Sequence, residues 1–181
     1  MKMKLITVLL GVALLTGCGN QTPDTPPIVT VDAGGISVSN TTNISAWDNT
    51  VYLLDVTASE WIAEYGEPVF FPLGTVFRVV IPEKTASPDK ITVTDTLIRE
   101  DGTPKYDKKA AVNELTPDID GNVISFSLDN HWATGLSSNS VDYQEGAAWR
   151  CFEVTCTWGE NVCVYTFCVR SNPIMVMDIE Q

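Results

Sequence analysis

The sequence is poor in basic residues and in histidine. It has 11 lysines and arginines against 23 aspartates and glutamates, a formal net charge of −12, and one histidine. The shortage of positive charge argues against a nucleic-acid-binding protein, because phosphate contacts need clustered lysine and arginine. It also argues against loose adsorption to anionic lipid. A single histidine excludes a metal centre built from several imidazoles.

Recognisable catalytic motifs are also missing. His131 lies in a predicted loop, and no Gly-x-Ser-x-Gly motif offers it a nucleophile. The segment Asp118-x-Asp120-Gly121-Asn122 resembles a calcium loop only in part. Its glycine comes too early, and no glutamate follows at the twelfth position. We expect a turn there, and we predict no catalytic residue, no metal and no cofactor.

The N-terminus carries a positively charged start and an apolar run that is too short to cross a bilayer as a helix. Two lysines precede the run 5–15, which ends in Leu15-Thr16-Gly17-Cys18. The pattern predicts a signal peptide over 1–17. The quartet resembles the lipobox of bacterial lipoproteins. That resemblance implies that Cys18 is diacylated and becomes the mature N-terminus. Two acyl chains anchor a protein stably in a membrane, whereas a single chain binds it only marginally.

The membrane that holds such a lipoprotein depends on the cell envelope. Gly19 rather than aspartate follows Cys18, which the resemblance associates with the outer membrane of a Gram-negative cell. In a Gram-positive cell, the anchor would lie in the outer face of the plasma membrane. An ordinary secretory signal with an incidental cysteine is the alternative. Residues 18–27 are polar and proline-rich, which predicts a flexible tether.

The rest of the chain is rich in strand-forming residues with turn residues at short intervals. We predict one β-sandwich domain over 28–172, followed by a tail or edge strand over 173–181. Alternation over 90–98 places Ile91, Val93, Asp95 and Leu97 on one face of a strand. Thr57-Ala58-Ser59-Glu60 resembles a capping box and predicts one short helix near 58–65.

The second half of the chain resembles the immunoglobulin-like domains of bacterial surface proteins. The resemblance rests on the alternating run 91–97, the turn Asp-Gly-Thr-Pro at 101–104 and the closing ribbon 149–170. It implies an all-β, antiparallel, immunoglobulin-like β-sandwich whose strand edges and end loops, including 129–148, carry any ligand contacts. The Cys–Trp–Cys arrangement of antibody domains is missing, because these cysteines lie within one hairpin.

Four cysteines are placed symmetrically about Gly159-Glu160, a pair that suits a type II′ hairpin turn. In that register, Cys151 faces Cys168 and Cys156 faces Cys163. Other pairings would join distant points of one strand or opposite faces of the ribbon, beyond the roughly 4.4–6.8 Å that a disulfide allows between Cα atoms. We predict two disulfides, the first pair on the outer face and the second against the core. Reduced buried cysteines, a zinc site and a redox role are the alternatives.

Five tryptophans remain, and in a small β domain most are expected in the core. Trp132, beside His131 in the predicted loop, is the candidate for exposure, and both are candidate ligand contacts. The leading hypothesis is a non-enzymatic, lipid-anchored binding, adhesion or structural module of the bacterial cell envelope, with an unknown protein or glycan ligand. The alternatives are a carbohydrate-binding module that uses exposed tryptophans and a cell-wall hydrolase.

Overall fold

The computed structural model describes residues 22–52, 57–107 and 111–173. Eleven strands and one α-helix lie in these ranges. The predicted signal peptide, Cys18 and residues 174–181 of the predicted tail lie outside the described residues.

Two β-sheets form the body of the protein. The smaller sheet contains β1 (Thr30–Ala33), β2 (Ile36–Val38), β5 (Val76–Val80), β8 (Asp118–Asp120) and β9 (Val123–Ser127). The larger sheet contains β3 (Thr41–Trp47), β4 (Thr50–Val51), β6 (Lys90–Ile98), β7 (Val112–Leu115), β10 (Ala148–Trp158) and β11 (Asn161–Ser171). The strand orders are β2-β1-β5-β9-β8 and β4-β3-β11-β10-β6-β7. The pairings between these strands are antiparallel.

Phenylalanines from both sheets meet in the core. Phe77 and Phe126 come from the smaller sheet, and Phe152 and Phe167 come from the larger one. The shortest of their ring-centroid separations is 5.3 Å and the longest is 6.3 Å. Such aromatic pairs contribute about 0.5–1.5 kcal/mol each beyond the burial of their area. The two inner faces therefore pack directly on each other.

Helix α1 (Ala58–Tyr65) covers the face of the larger sheet that is turned away from this core. The Thr57 hydroxyl accepts from the Glu60 amide at 3.3 Å, and the Glu60 carboxylate accepts from the Thr57 amide at 2.8 Å. This is the predicted capping box. Trp61 is buried against Ile98 and Cys151, so the helix closes a second, smaller apolar cluster.

The predicted all-β, antiparallel, two-layer architecture with one short helix is confirmed. The boundary of the tether needs a correction. Pro27 is buried, and its carbonyl accepts from the Tyr165 hydroxyl at 2.9 Å. The Asp24 carbonyl accepts from the indole nitrogen of Trp47 at 3.4 Å. Residues 24–27 therefore lie against the sandwich, because their backbone carbonyls satisfy side-chain donors of the domain.

Candidate functional site

The C-terminal hairpin has the predicted register. Cys151 is paired with Cys168, and Cys156 is paired with Cys163, across β10 and β11. Gly159 has φ of 59°, whereas Glu160 is outside the left-handed region, which is the pattern of a type II′ turn. The Gly159 amide also donates to the Asp89 carboxylate at 2.7 Å. The strand pairing predicted from the symmetric spacing of the cysteines is therefore confirmed.

The two cysteine pairs lie on opposite faces of the hairpin, as predicted. Cys156 and Cys163 belong to the main core, and burial raises their pKa values to about 12 and about 11. Cys151 and Cys168 lie in the cluster under α1. The pKa of Cys151 is also raised, mainly because its thiol hydrogen-bonds with that of Cys168, and further by burial.

All four of these cysteines are free thiols in the structure. The register of the prediction is thus confirmed, whereas the two disulfide bonds are not present. Among the described residues, no group of three or more His, Cys, Asp or Glu side chains is placed to hold a metal ion.

A buried ion pair lies near the other end of the hairpin. Arg150 is 1% exposed and Asp95 is 0% exposed. The Arg150 Nε donates to Asp95 Oδ1 at 3.1 Å, and its Nη2 bonds to Oδ2. Its Nη1 donates to the Asp129 carbonyl at 2.6 Å. The guanidinium also lies 5.4 Å from the centroid of the Phe152 ring. The pair therefore ties the start of the loop after β9 to the larger sheet.

His131 is buried beside this pair, so its prediction as a ligand contact is corrected. Its exposed fraction is 0%. Nδ1 accepts from the Ala133 amide at 3.2 Å, and Nε2 lies 3.1 Å from the Ala111 carbonyl. A carbonyl can only accept, so the proton is on Nε2. Burial lowers the pKa of His131, which favours the neutral ring. Both ring nitrogens are engaged within the protein.

The tryptophans fall into two groups. Trp47, Trp61 and Trp158 are buried, and their indole nitrogens donate to backbone carbonyls at 3.4, 3.2 and 2.7 Å. Trp132 is 51% exposed and begins a 3-10 helix, so its predicted exposure fits its place in the structure. Trp149 is partly buried. In the described part of the chain, no acceptor bonds the indole nitrogen of Trp132 or Trp149.

Trp149 lines a groove that the sequence analysis did not single out. We call it the Trp149 groove, and its volume is about 530 Å³. It lies between the end of α1, the turn after β6 and the loop before β10. Its lining comprises Ile62, Gly66, Glu67, Glu100, Val141, Asp142, Gln144, Glu145, Gly146, Ala147, Trp149 and Arg170. A hollow of about 290 Å³ adjoins it and shares Glu100, Asp142, Ala147 and Trp149.

The lining of the Trp149 groove is net negative, and its charged side chains are Glu67, Glu100, Asp142, Glu145 and Arg170. Two of these carboxylates are in ion pairs, one of them with Lys105 of the adjoining hollow. Arg170 lies 2.7 Å from the Glu67 carboxylate, and Lys105 lies 3.0 Å from that of Asp142. The Ser137 hydroxyl, followed by Lys105, lowers the pKa of Asp142 and keeps it ionised. These partly exposed pairs fix side-chain positions more than they stabilise the fold.

The groove and the N-terminal segment lie at opposite ends of the hairpin. Trp149 is next to the first residue of β10, whereas the turn at Gly159 follows its last. The strand has 11 residues and spans more than roughly 30 Å. Residues 22–24 line a hollow together with Trp158, Gly159 and Asn161. The chain therefore reaches the sandwich at the turn end, away from the Trp149 groove.

No protein-family model, curated protein or solved structure matches this chain. No helix in the described ranges is both long and apolar enough to cross a membrane.

Proposed function

We propose that this protein is a lipid-anchored, non-enzymatic binding module of the bacterial cell envelope, with an immunoglobulin-like sandwich that binds its ligand in the Trp149 groove. One observation carries the proposal. The N-terminal segment meets the sandwich at the hairpin-turn end, and the groove opens at the opposite end.

The anchor would hold the turn end close to the lipid. Cys18 is only four residue steps from Thr22, a length of chain that reaches at most about 14 Å. Because residues 24–27 are docked on the domain, the usable tether is shorter than the sequence pattern indicated. The Trp149 groove would then face away from the membrane, which is the useful orientation for a module that binds something outside the cell.

The make-up of the groove favours binding over catalysis. It presents one aromatic side chain, Trp149, among mostly polar and charged side chains, and two of its carboxylates are already held in ion pairs. His131, the base that a histidine-dependent hydrolase would use, has both ring nitrogens in backbone contacts. A non-enzymatic role is therefore the simpler account of this surface.

We also propose that the cysteine pairs become disulfides after export. Residues directly opposite each other on antiparallel strands have Cα atoms about 4.5–5.5 Å apart, within the range that a disulfide needs. Each bond would form as two thiols give up two protons and two electrons to a disulfide-bond oxidant of the envelope. The facing rungs of Cys151 with Cys168, and of Cys156 with Cys163, support this proposal.

Fractionation and energy transfer test the proposed anchor and orientation. The full chain is expressed with its own N-terminus, and Cys18→Ser serves as the control. We expect the parent in the membrane fraction and the variant in the soluble envelope fraction. The purified acylated protein is then placed in vesicles with a dansyl head-group lipid. Trp158→Phe should remove more of the energy transfer than Trp149→Phe, because Trp158 would be nearer the lipid.

Two results would overturn this proposal. The first is a Cys18→Ser variant that stays in the membrane fraction to the same extent as the parent. The second is a larger loss of energy transfer from Trp149→Phe than from Trp158→Phe, which would place the groove against the lipid.

A further inference from the structure

We propose that the ligand of the Trp149 groove is a neutral oligosaccharide. This inference rests on the proposed binding role of the groove and adds the chemical class of the ligand. It follows from the state of the indole, from the fixed position of that side chain and from the lack of a free cation around it.

The Trp149 indole is available for a ligand, unlike those of the core tryptophans. The single N–H donor of the indole is already hydrogen-bonded to a backbone carbonyl in Trp47, Trp61 and Trp158. For Trp149, the described residues provide no such acceptor, and the side chain lines the groove. An indole combines a flat apolar surface with one donor at its edge. A pyranose ring has the matching combination, a face of C–H groups with hydroxyls around its rim.

The backbone around Trp149 is held on both sides. It pairs with Ile98 of β6 and with Arg170 of β11, and its side chain packs against the cluster under α1. The Arg170 Nε donates to the Pro68 carbonyl at 3.0 Å, which orders the neighbouring wall. A side chain ordered before binding loses little conformational entropy when a ligand stacks on it. The groove is thus suited to the weak, flat contacts that a sugar makes.

The charges of the groove favour a neutral ligand over an anionic one. The cations Arg170 and Lys105 are already paired with carboxylates. An anion such as a phosphate would therefore meet Glu100 and Glu145 without a free cation to balance it. A cation would meet these carboxylates directly, so hexalysine is the comparison that the test needs. Uncharged hydroxyls can instead accept from the cations and donate to the carboxylates, with Gln144 able to do both.

The continuity of two neighbouring spaces suits an extended ligand such as an oligosaccharide. The groove of about 530 Å³ continues into the neighbouring hollow of about 290 Å³. Each is close to or within the rough range of 300–1,000 Å³ for small-ligand clefts. Trp149 lines both spaces, so a chain of sugar rings could pass over it from one to the other.

The test measures binding of defined hexasaccharides to the full chain in detergent. The probes are the neutral hexamers of β-1,4-glucose, β-1,4-N-acetylglucosamine, β-1,4-xylose and β-1,4-mannose, with hexalysine as the charged comparison. Calorimetry gives the affinity, and thermal unfolding checks each variant. We expect at least one neutral hexamer to bind, with Trp149→Ala weakening its affinity by at least about tenfold. The matched control Trp132→Ala should change the affinity by less than about twofold.

Three further measurements separate sugar stacking from other causes. Trp149→Phe keeps an aromatic face and should recover part of the affinity that Trp149→Ala loses, even if the alanine variant is less stable. Raising the salt concentration should leave the affinity unchanged, since screening acts on charged ligands. Glu100→Gln removes the charge but keeps a carbonyl acceptor, so a neutral ligand should lose little affinity.

The inference is overturned if the parent protein binds none of the four hexamers. It is equally overturned if Trp149→Ala binds as the parent does, or if hexalysine binds instead with an affinity that falls with salt. These results would leave the fractionation of the Cys18→Ser variant unaffected. Failure of the sugar assignment is therefore distinguishable from failure of the proposed anchored module.

Discussion

Arg150 and Asp95 form an ion pair that is almost fully removed from water at one end of the sandwich. Their contact is bidentate, and the Asp129 carbonyl takes a further donor of the guanidinium. Buried charges are tolerated when each has partners, and removing one partner leaves the other uncompensated. The pair therefore makes the attachment of the loop after β9 sensitive to single substitutions.

Replacing Arg150 with methionine should strongly destabilise the protein. Asp95 would remain buried without its counter-charge, and we expect a loss of about 3–5 kcal/mol in the free energy of unfolding. Urea unfolding followed by tryptophan fluorescence measures it. The double variant Asp95→Leu with Arg150→Met is the control, and it should recover much of the loss. A single variant as stable as the parent would mean that the pair does not hold the loop.

Stability should fall as the pH drops below the ordinary pKa of histidine, about 6.5. Burial lowers the pKa of His131 in the folded protein; the nearby Asp95 carboxylate opposes this shift, and the Arg150 guanidinium adds to it. Below about pH 6.5 the unfolded chain therefore binds more protons than the folded one. The contribution of neutral His131 to the free energy of unfolding is lost as the pH falls through the pKa of His131 in the folded protein.

The variant His131→Asn isolates this effect, because its side-chain oxygen can still accept from the Ala133 amide. We expect the midpoint of urea unfolding to decline as the pH falls below about 6.5 in the parent. The decline should be much smaller in His131→Asn. Equal pH dependence of the two proteins would show that His131 does not titrate as its surroundings require.

Gly102 should be intolerant of any side chain. Its φ is +79°, and a Cβ added there would lie 2.4 Å from the Cα and the amide nitrogen of Ser59 in α1. Gly102→Ala should therefore displace the helix as well as strain the backbone, which by itself costs about 1–3 kcal/mol. Gly121→Ala is the matched control, since Gly121 has φ of +56° with open space around it.

Thermal unfolding compares these two glycine variants. We expect a clearly lower melting temperature for Gly102→Ala than for Gly121→Ala, together with greater exposure of Trp61 to a soluble fluorescence quencher. A similar fall in melting temperature for both variants would indicate that only backbone strain is responsible. The contact between Gly102 and α1 would then not limit the size of the side chain at position 102.

The cysteines of the exported protein should resist alkylation after denaturation without a reductant. If both proposed disulfides form, the intact mass should lie about 4 Da below that of the reduced chain, and peptide mapping should join 151 to 168 and 156 to 163. Protein purified from a reducing cytoplasm, carrying four alkylatable cysteines in 151–168, is the control. Four alkylated cysteines in the exported protein would contradict the proposal.

Features that depend on neighbouring residues could be predicted from the sequence. The capping box at Thr57 acts within one turn of chain, and the hairpin register follows from a two-residue turn at Gly159. The alternation of β6 even placed Asp95 on the face of Val93 and Leu97, which the structure buries. That placement was a signal for a buried charge, although its partner Arg150 is 55 positions away.

The Trp149 groove could not be predicted in the same way. Its walls come from α1, from the turn after β6 and from the loop before β10, which only the tertiary structure brings together. Sequence reasoning favoured Trp132 because it lies in a loop. Trp149 lies at the start of a long strand, and no local pattern indicates that its indole remains without a backbone acceptor.

The mass of the mature N-terminal peptide tests the central claim most directly. The protein is expressed in a bacterial host with its own N-terminus and extracted in detergent, and its N-terminal peptide is sequenced by mass spectrometry. The account predicts that this peptide begins at Cys18 and carries a thioether-linked diacylglycerol. A mature peptide that begins elsewhere, or an unmodified Cys18, would contradict it.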